Sequence, residues 1–575
     1  MALILSACAN TKPADADLVV LYTTDVHGAI LDFDIKRNAP ARTSLANVST
    51  YLKQMRELNP GKVLLFDTGD FLQGQPSVYY YNFVDTTTTH LCARTYNYLG
   101  YDAIGVGNHD IEAGEEVYAQ RLPPQFKMPW ICANAIDTRT DQPMFQPYAI
   151  IERQGVKVAV LSLITPNIGA WLPKRLWRHL RFDDMVETAQ KWVPIIQKEE
   201  HPDLLIGLFH AGADYTMDGT SDFNTPYNEN GSIPTAVKVP GFDLCLLGHD
   251  HMPAEMERLN VDNKPVAILD AGTQAFKVGR ADIHMKLRPD GTYDKVIHTQ
   301  LVDMLKYEPD SDYVKAFHSV VDTVNNYVNE PLGALTAPLR GIDGLVGPSE
   351  FIDLIHDVQL WATEADVSLT AVLSPNDTVP AGAITMRHLF TLYKYENLLY
   401  TIGMTASEIQ RFLEFGYSMQ FNTMLSHDDH LMNWLPTEAG KRPKLAGITF
   451  NFTSAAGIRY EVDLTKRQGD RVRLISMSDG SPIDPNRIYH VAISSYQYSG
   501  GGNFIPIGLG WDKDMLESRT IDTTPIDVRR YLAQYIQQHK VITPHLRGDW
   551  KLVPTDWWQE ARERDLQILL SPMYH

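Results

Sequence analysis

Five short apolar runs in the first half of the chain each lead into side chains that can bind a metal. The residues that follow the runs are Asp25-Val26-His27, Gly69-Asp70, Gly107-Asn108-His109-Asp110, His210 and Gly248-His249-Asp250-His251. Neutral imidazole and carboxylate groups suit borderline divalent cations such as zinc, manganese, iron or cobalt. Because these groups are far apart in the sequence, they can form one site only if the fold brings the ends of the runs together.

A set of this kind predicts hydrolytic chemistry. A carboxylate can bridge two cations about 3.5–4 Å apart, and the cations lower the pKa of bound water towards neutrality. The resulting hydroxide can attack phosphorus in line, while the cations stabilise the charge of the transition state. No Gly-x-Ser-x-Gly motif lies beside the histidines, so we expect no covalent enzyme intermediate.

The apolar runs are typical of buried β-strands. They are short, rich in β-branched residues and bounded by polar ones, and they span residues 18–22, 63–66, 103–106, 158–164, 204–209, 244–247 and 266–269. Amphipathic stretches such as 44–58 lie between several of them, which predicts an α/β fold with strands covered on both faces. In such sheets ligands bind at the carboxyl ends of the strands, so the five strands would deliver their ligands to one crevice.

The second half of the chain has its own set of elements. Residues 311–330 predict a helix from the spacing of their apolar residues, and the prolines and glycine after it indicate a domain boundary. Further helices are predicted at 349–362 and 405–415, the latter opening with the capping-box pair Thr405 and Glu408. Strands are predicted at 448–452 and 490–493, and residues 551–575 form either a docking helix or a loose tail.

Composition restricts the class of protein. The 575 residues carry a formal net charge of −19, which disfavours a partner as anionic as a polynucleotide but allows a small anion held by local cations. An apolar share of 44% and 34 prolines exclude a collagen-like, coiled-coil or largely disordered chain. The sequence contains no run of 18 apolar residues, so no membrane-spanning helix is predicted.

The four cysteines form no CxxC pair, so we expect neither a zinc ribbon nor a disulfide framework. Cys92, Cys132 and Cys245 are interpreted as small buried apolar residues. Cys8 ends the run Leu5-Ser6-Ala7-Cys8, which resembles the lipobox of bacterial lipoproteins and implies an acylated cysteine and a place in the bacterial cell envelope, periplasmic or surface-exposed. Only seven residues precede Cys8 and none is basic, so a truncated start and a frayed apolar N-terminus remain alternatives.

The ordered metal-type motifs resemble those of the calcineurin-like metallophosphoesterases. Within that group, the chain is similar to the bacterial 5′-nucleotidase and 2′,3′-cyclic-nucleotide 2′-phosphodiesterase/3′-nucleotidase family over residues 17–550. The resemblance implies an N-terminal four-layer α/β/β/α sandwich and a C-terminal α/β nucleotide-specificity domain joined by a linker helix. The corresponding boundaries are a lipoprotein-like segment at 1–16, a catalytic domain at 17–308, the linker helix at 309–340, a substrate domain at 341–550 and a tail at 551–575.

The resemblance also implies a division of labour among the metal-type residues. One cation would be held by Asp25, His27, Asp70 and His251, and the second by Asp70, Asn108, His210 and His249, with Asp70 as the bridge. His109 would be the catalytic histidine that stabilises the transition state or protonates the leaving oxygen. Glu112 would hold its imidazole in the working tautomer.

The second half would recognise the nucleotide. Two aromatic rings that clamp the base are implied at Tyr395 and Tyr496, Gly500 and Gly501 would let the backbone approach the nucleoside, and Asn397 would either bind a base edge or cap local structure. Residues 373–378 lack the arginine that is usual in 5′-nucleotidases, and Gly502 stands where an aspartate is common. These departures favour the cyclic-phosphodiesterase/3′-nucleotidase branch, with a 5′-nucleotidase or nucleotide-sugar hydrolase as the alternative and an inactive nucleoside-binding surface lipoprotein as a further one.

One other cluster resembles a metal site. The segment His427-Asp428-Asp429-His430 has suitable side chains, but no predicted strand leads into it and its flanks are polar. We therefore expect a solvated loop there.

Overall fold

The computed structural model describes residues 12–214, 224, 227–436 and 443–571. The chain forms two compact units. The first comprises the described residues up to Gly169 together with Lys174–Asn325, and the second comprises Ala170–Pro173 and the described residues from Asn326 onwards.

The first unit alternates strands and helices. Its strands are β1 (Asp15–Thr23), β2 (Phe33–Asp34), β3 (Ala39–Pro40), β4 (Val63–Asp67), β5 (Ala103–Ile104), β6 (Ala135–Asp137), β7 (Gln142–Pro143), β8 (Tyr148–Arg153), β9 (Val156–Ile164), β10 (Leu180–Phe182), β11 (Leu204–His210), β12 (Leu244–Leu247), β13 (Ala254–Leu259), β14 (Pro265–Asp270), β15 (Lys277–Leu287) and β16 (Tyr293–Asp303). Its helices are α1 (Leu45–Leu58), α2 (Pro76–Phe83), α3 (Leu91–Leu99), α4 (Asn108–Glu112), α5 (Met185–Glu200) and α6 (Ser232–Lys238), and α7 (Ser311–Val328) contains the boundary between the units.

Two large sheets carry the metal-type residues of this unit. The first has the strand order β16-β15-β1-β4-β5, in which β1, β4 and β5 run parallel and β15 pairs antiparallel with β1. The second has the order β13-β14-β12-β11-β9-β8, with four parallel central strands and an antiparallel strand at each edge. Because the ligand-bearing strands are parallel within each sheet, their carboxyl ends lie at a common edge of that sheet.

The two sheets pack face to face around one apolar core. Buried side chains of the first sheet, such as Val20 and Phe66, belong to the same cluster as Val160 and Leu208 of the second. A second cluster joins the other face of the second sheet to α5 and α6. The predicted α/β class and two-domain architecture are therefore confirmed.

The second unit is also a mixture of helices and sheets. Its strands are β17 (Pro331–Leu335), β18 (Leu339–Arg340), β19 (Val367–Ala371), β20 (Thr378–Val379), β21 (Gly382–Thr385), β22 (Leu399–Met404), β23 (Thr453–Ala456), β24 (Ile458–Asp463), β25 (Val472–Met477), β26 (Tyr489–Ser494), β27 (Thr520–Thr523), β28 (Val541–Ile542) and β29 (Trp550–Val553). Its helices are α8 (Glu350–Thr363), α9 (Met386–Leu392), α10 (Ala406–Gln420), α11 (Ser495–Tyr498), α12 (Lys513–Arg519), α13 (Val528–His539) and α14 (Thr555–Leu569). Its largest sheet has the order β23-β19-β26-β22-β27.

Local sequence signals predict the second unit only in part. The capping box is confirmed, since the Thr405 amide donates to Glu408 Oε2 at 2.7 Å at the start of α10. The strand predicted at 448–452 is wrong: Thr449–Asn451 form a 3-10 turn, and the strand begins only at Thr453, where pairing with β19 becomes available. Of the two alternatives for the C-terminal residues, the structure has a helix, α14, in which Trp558 Nε1 donates to the carbonyl of Val346 at 2.8 Å.

The segment His427-Asp428-Asp429-His430 lies in a loop, as predicted, and that loop is tied to α14. The guanidinium of Arg564 donates to the carbonyls of His427 and Asp429 at 2.6 and 2.7 Å. His430 Nδ1 lies 2.5 Å from the buried carboxylate of Asp565. These contacts give the loop a structural role at the surface of the second unit.

Among the described helices, none combines the length and the apolar character needed to cross a bilayer. Cys92, Cys132 and Cys245 are buried and form no disulfide, as expected. Cys8 lies outside the described residues.

Candidate dinuclear metal centre

All seven predicted ligands follow or end a strand of the first unit. Asp25 and His27 come after β1, Asp70 after β4, Asn108 opens α4 after β5, His210 ends β11, and His249 and His251 come after β12. The structure gathers six of them into two groups, Asp25–His27–His251 and Asp70–His210–His249, within each of which the candidate ligand atoms all lie within 4.8 Å of one another. The strand-end rule therefore identified residues that do converge.

The backbone at this edge is bent into unusual conformations. Five of the predicted ligands have left-handed φ angles, namely Asp25 (49°), His27 (46°), Asp70 (61°), His249 (89°) and His251 (59°). Residues other than glycine adopt this region at a cost, although aspartate and histidine do so more readily than most. A close approach adds a further constraint, because a Cβ at Gly107 would lie 2.1 Å from Asp70 Oδ1.

The first group is built around Asp25. Its Oδ2 accepts hydrogen bonds from Thr24 Oγ1 at 2.5 Å and from the His249 amide at 3.0 Å. Its Oδ1 lies 3.2 Å from His251 Nε2 and 3.8 Å from His27 Nε2. The two imidazole Nε2 atoms are themselves 3.0 Å apart, so three donor atoms converge on one point.

The second group is built around Asp70 and His210. His210 Nε2 lies 3.1 Å from Asp70 Oδ2 and 3.2 Å from Asn108 Oδ1. The same Asn108 oxygen is 2.8 Å from His249 Nδ1. Asp70 falls within the second group only, so its role as a bridge stays a prediction.

The donor set fits a pair of divalent cations. Asp25 Oδ1 is buried and, among the described residues, has no hydrogen-bond partner of proper geometry, which is the arrangement expected of an oxygen held for a cation. Burial lowers the pKa of His27 to about 4, so this ring is neutral and able to bind a metal. Burial opposes charge on Asp25 as well, yet the nearby His210 and His251 lower the pKa of Asp25 to about 2.

His109 and Glu112 form a pair beside the two groups. His109 Nδ1 lies 2.5 Å from Glu112 Oε2, and the two side chains are 27% and 11% exposed. The His109 ring makes an edge contact with that of His27 at a centroid distance of 5.3 Å. The pair is thus adjacent to the first group, and Nε2 of His109 is the ring nitrogen not engaged by Glu112.

Asp110 ties together the two loops that carry Asp70 and Asn108. Its side chain is fully buried and accepts four backbone hydrogen bonds: Oδ2 from the amides of Asp70 (3.0 Å) and Gly107 (2.8 Å), and Oδ1 from the amides of Phe71 and Leu72 (both 3.1 Å). The sequence indicated Asp110 as part of a motif but gave it no role. Three of the four amides belong to another strand's loop, which only the tertiary structure brings near.

The predicted base-binding residues lie in the second unit. Tyr395 is half-buried, and the ammonium of Lys394 lies 5.5 Å from the centroid of its ring. Asn397 is 6% exposed. Its side-chain Nδ2 donates a hydrogen bond to Tyr393 Oη, and its Oδ1 accepts one from Ser495 Oγ, both at 3.3 Å. Of the two alternatives for Asn397, this arrangement favours a structural role.

Arg529 is a residue that the sequence did not indicate. It is 1% exposed, its Nη2 donates to the carbonyls of Tyr393 and Lys394 at 3.2 and 3.0 Å, and its guanidinium lies 4.1 Å from the ring centroid of Phe390. These contacts secure the backbone immediately before Tyr395. A lone arginine on an amphipathic helix carries no sequence signal for such a role.

Tyr496 and the glycines after it form a tight turn. Tyr496 is half-buried, and its hydroxyl donates to Asn451 Oδ1 at 3.3 Å. A Cβ at Gly501 would lie 2.5 Å from Cε2 and Cζ of the Tyr496 ring, so the glycine lets the backbone cover one side of that ring. Gly500 has φ +106°, a conformation that glycine adopts without strain.

Two Asp–His groups at the carboxyl ends of strands in facing sheets define a dinuclear metallohydrolase. Two family profiles match the chain: calcineurin-like phosphoesterase over residues 18–253, and the C-terminal domain of 5′-nucleotidase over residues 332–507. Together they match more than half of the chain. The chain therefore carries a calcineurin-like phosphoesterase domain followed by a 5′-nucleotidase C-terminal domain, and the predicted hydrolase with two metal ions is confirmed.

Relatives of known name cover nearly the whole chain. The 2′,3′-cyclic-nucleotide 2′-phosphodiesterase/3′-nucleotidase of Yersinia enterocolitica is 24% identical over 648 aligned positions, which cover 99% of this chain and 93% of that protein. The trifunctional nucleotide phosphoesterase protein YfkN of Bacillus subtilis is 25% identical over 96% of this chain. The chain spans only 40% of the length of that longer protein.

Solved structures share the fold. A 5′-nucleotidase structure from Staphylococcus aureus has a TM-score of 0.75 at 19% identity and is matched over 93% of this chain and 100% of its own. A 5′-nucleotidase precursor from Thermus thermophilus has a TM-score of 0.60 at 20% identity, over 94% of this chain and 100% of its own. At these identities the likeness concerns the fold alone.

Proposed function

We propose that this chain hydrolyses small nucleotide phosphate esters and acts as a 2′,3′-cyclic-nucleotide 2′-phosphodiesterase/3′-nucleotidase. The observation that carries the hydrolytic part is the convergence of Asp25, His27 and His251 beside Asp70, His210 and His249. The substrate class is supported by a relative of that name that aligns over almost the full length of both chains. It is also supported by the lack of an arginine at 373–378.

The chain's own residues divide the work. We assign one cation to Asp25, His27, Asp70 and His251, and the other to Asp70, Asn108, His210 and His249. When bound, the two cations supply Lewis-acid activation of water and of the phosphoryl oxygens. The buried carboxylates balance the charge of the cations, and the left-handed loops aim the donor atoms at two neighbouring points.

We assign the leaving-group proton to His109. Glu112 holds Nδ1, so we assign the proton to be transferred to the other ring nitrogen, Nε2. In the cyclic substrate a water oxygen bonds to phosphorus and the water gives up one proton to solvent. The bond from phosphorus to the 2′-oxygen breaks, that oxygen takes the proton from Nε2, and solvent returns a proton to Nε2 before the next round. The product is a 3′-nucleotide, and a second round that breaks the bond to the 3′-oxygen yields phosphate and nucleoside.

We assign base recognition to Tyr395 and Tyr496 of the second unit. Both rings are half-buried. Arg529 holds the backbone before Tyr395, and Asn451 and Gly501 lie against Tyr496. Stacking on aromatic rings contributes about 1–3 kcal/mol per base and tolerates every base. The Tyr496→Ala variant should therefore raise KM for nucleotides, with little effect on a small aryl phosphate.

A substrate panel tests the proposal. The metal-free protein is loaded with Mn²⁺ or Zn²⁺ and offered 2′,3′-cyclic AMP, 3′-AMP, 5′-AMP and a nucleotide sugar, with chelator-treated protein as the control. We expect the cyclic nucleotide to yield 3′-AMP first and phosphate later, and the chelator to abolish both. Turnover confined to 5′-AMP or the nucleotide sugar would favour the 5′-nucleotidase alternative. Nucleoside binding without any turnover would favour the inactive binding protein.

The N-terminal segment bears on location. The run that ends at Cys8 supports an acylated cysteine and a place in the bacterial cell envelope. Expression of the full chain with a labelled fatty acid tests this, because the label should be incorporated into the wild type and not into the Cys8→Ala variant. Equal labelling, or none in either protein, contradicts the assignment.

A further inference from the structure

An acidic side chain outside both predicted ligand sets contacts the second group. Glu229 Oε1 lies 3.2 Å from Nε2 of His249. The two side chains are 38% and 12% exposed, so the contact is at the rim of the site. No motif in the sequence marks Glu229, because it precedes α6 in a stretch without a strand end.

The backbone on both sides of Glu229 is anchored. Asn228 and Asn230 are each 6% exposed, and the Asn230 amide donates to Asn228 Oδ1 at 2.8 Å. The Tyr227 amide donates to Asp184 Oδ2 at 2.8 Å, and Asp184 also caps α5. Glu229 therefore contacts His249 from a turn that is closed by its own asparagine and is held to Asp184 on its N-terminal side.

The two ring nitrogens of His249 face different acceptors. Nδ1 is 2.8 Å from Asn108 Oδ1, inside the second group, whereas Nε2 faces Glu229. A neutral imidazole carries a single N–H, and only the other nitrogen has a lone pair for a cation. Asn108 and Glu229 thus compete for one ring proton, and its position decides whether Nδ1 can bind the second cation.

We propose that Glu229 is a positioning residue of the metal centre. It accepts the hydrogen bond from Nε2–H of His249 and so leaves Nδ1 deprotonated and aimed at the second cation. A carboxylate is a stronger acceptor than an amide oxygen, so Glu229 prevails over Asn108. The inference deepens the proposed function, since it rests on the same dinuclear centre.

The expected effect is confined to one of the two cations. Partners that orient a metal-binding histidine change metal affinity or activity by about 10–100-fold. Because Glu229 is more than a third exposed and water screens its charge, the loss on removal falls at the lower end, about tenfold. The first cation does not contact His249 in our assignment, so its affinity stays unchanged.

Titration of the metal-free protein with Mn²⁺ alone tests the inference. The variants are Glu229→Ala and Glu229→Gln, and Glu257→Ala on β13, an exposed glutamate of the same unit, is the matched control. Calorimetry measures the two Mn²⁺ affinities, and the paramagnetic resonance signal of a coupled Mn²⁺ pair measures occupancy of both sites. Nitrogen NMR of the metal-free protein reports which ring nitrogen of His249 carries the proton. In Glu229→Ala we expect second-site affinity to fall about tenfold and the proton to redistribute towards Nδ1, with Glu229→Gln between this variant and the wild type.

Two results would overturn the inference. One is a Glu229→Ala protein with two wild-type affinities, and the other is an equal loss at both sites, which would indicate general damage. If Glu229→Ala does not fold, the nearly isosteric Glu229→Gln variant decides by the same measurements. The Mn²⁺ titration uses no substrate, so it is independent of the turnover assay. A wild type that binds Mn²⁺ as expected but hydrolyses no nucleotide would contradict the proposed function and leave the role of Glu229 standing. Unchanged affinities in Glu229→Ala would contradict the role of Glu229 and leave the proposed function standing.

Discussion

Replacing Asp110 by asparagine should destabilise the first unit strongly although the two side chains have the same shape. Asparagine keeps one oxygen and places an NH₂ group against two of the four amides that the carboxylate now accepts. Each hydrogen bond to a charged acceptor is worth about 1.5–3 kcal/mol, so the loss of two lowers the free energy of unfolding by about 3–6 kcal/mol. Burial and the neighbouring Asp70 charge raise the pKa of Asp110 to about 7, so the assay is urea unfolding of chelator-treated protein at pH 8.5, where the carboxylate is ionised.

Asp184 provides the matched control for this experiment. Its Oδ1 accepts from the amides of Val186 and Glu187 at 2.8 and 3.0 Å, and among the described residues its Oδ2 accepts from the Tyr227 amide at 2.8 Å. The Asp184→Asn variant can therefore retain two of three hydrogen bonds, and we expect a loss of about 1–3 kcal/mol. The reasoning is refuted if Asp110→Asn unfolds within about 1 kcal/mol of the wild type, or if the two variants lose the same amount.

Three further predictions concern other parts of the molecule. His109→Ala should retain both metal ions by elemental analysis but lose about two to four orders of magnitude in rate, and loss of metal would mean that His109 is a ligand. Gly501→Ala should displace the Tyr496 ring and raise KM for nucleotides several-fold while KM for a small aryl phosphate is unchanged, and equal effects on both substrates would contradict a base-binding role. Burial and the nearby Arg547 lower the pKa of His356 to about 3, against about 6.5 in the unfolded chain. Between these two pH values the unfolded state binds a proton at His356 and the folded state does not, so the free energy of unfolding falls as the pH drops from 6.5 towards 3. Urea unfolding at pH 7.5 and 5.0 should show the wild type losing about 2 kcal/mol more than His356→Gln, and equal losses would contradict this.

The sequence predicted the site well because strand ends carry a strong signal. A short apolar run that stops at a histidine or aspartate indicates both the strand and the edge at which its ligand lies, and parallel pairing then brings distant runs together. The strand at 244–247 was predicted to the residue. The strand predicted at 103–106 spans only Ala103–Ile104, although the amide of the next residue, Gly105, still donates to the carbonyl of Asp67 on β4 at 2.7 Å.

The residues that the sequence did not indicate share a physical reason. Asp110, Glu229 and Arg529 act on backbone amides, a ring nitrogen and backbone carbonyls that belong to distant segments. Their contacts depend on tertiary placement and not on any spacing along the chain. The strand misplaced at 448–452 has the same origin, since an apolar run cannot tell which of its residues will find a pairing partner.

The left-handed backbone of the five ligand residues limits how the protein can evolve. Each such residue costs about 1 kcal/mol or more in conformational strain. The summed strain at this edge is therefore a sizeable fraction of the roughly 5–15 kcal/mol free energy of unfolding of a typical domain. Glycine at these positions would relax the chain but remove the donor atom, so selection for heat tolerance cannot improve this edge without sacrificing turnover. Substitutions that raise the free energy of unfolding must therefore lie in the sheets and helices that carry the loops. The stability of those sheets and helices offsets the strain of the five ligand residues.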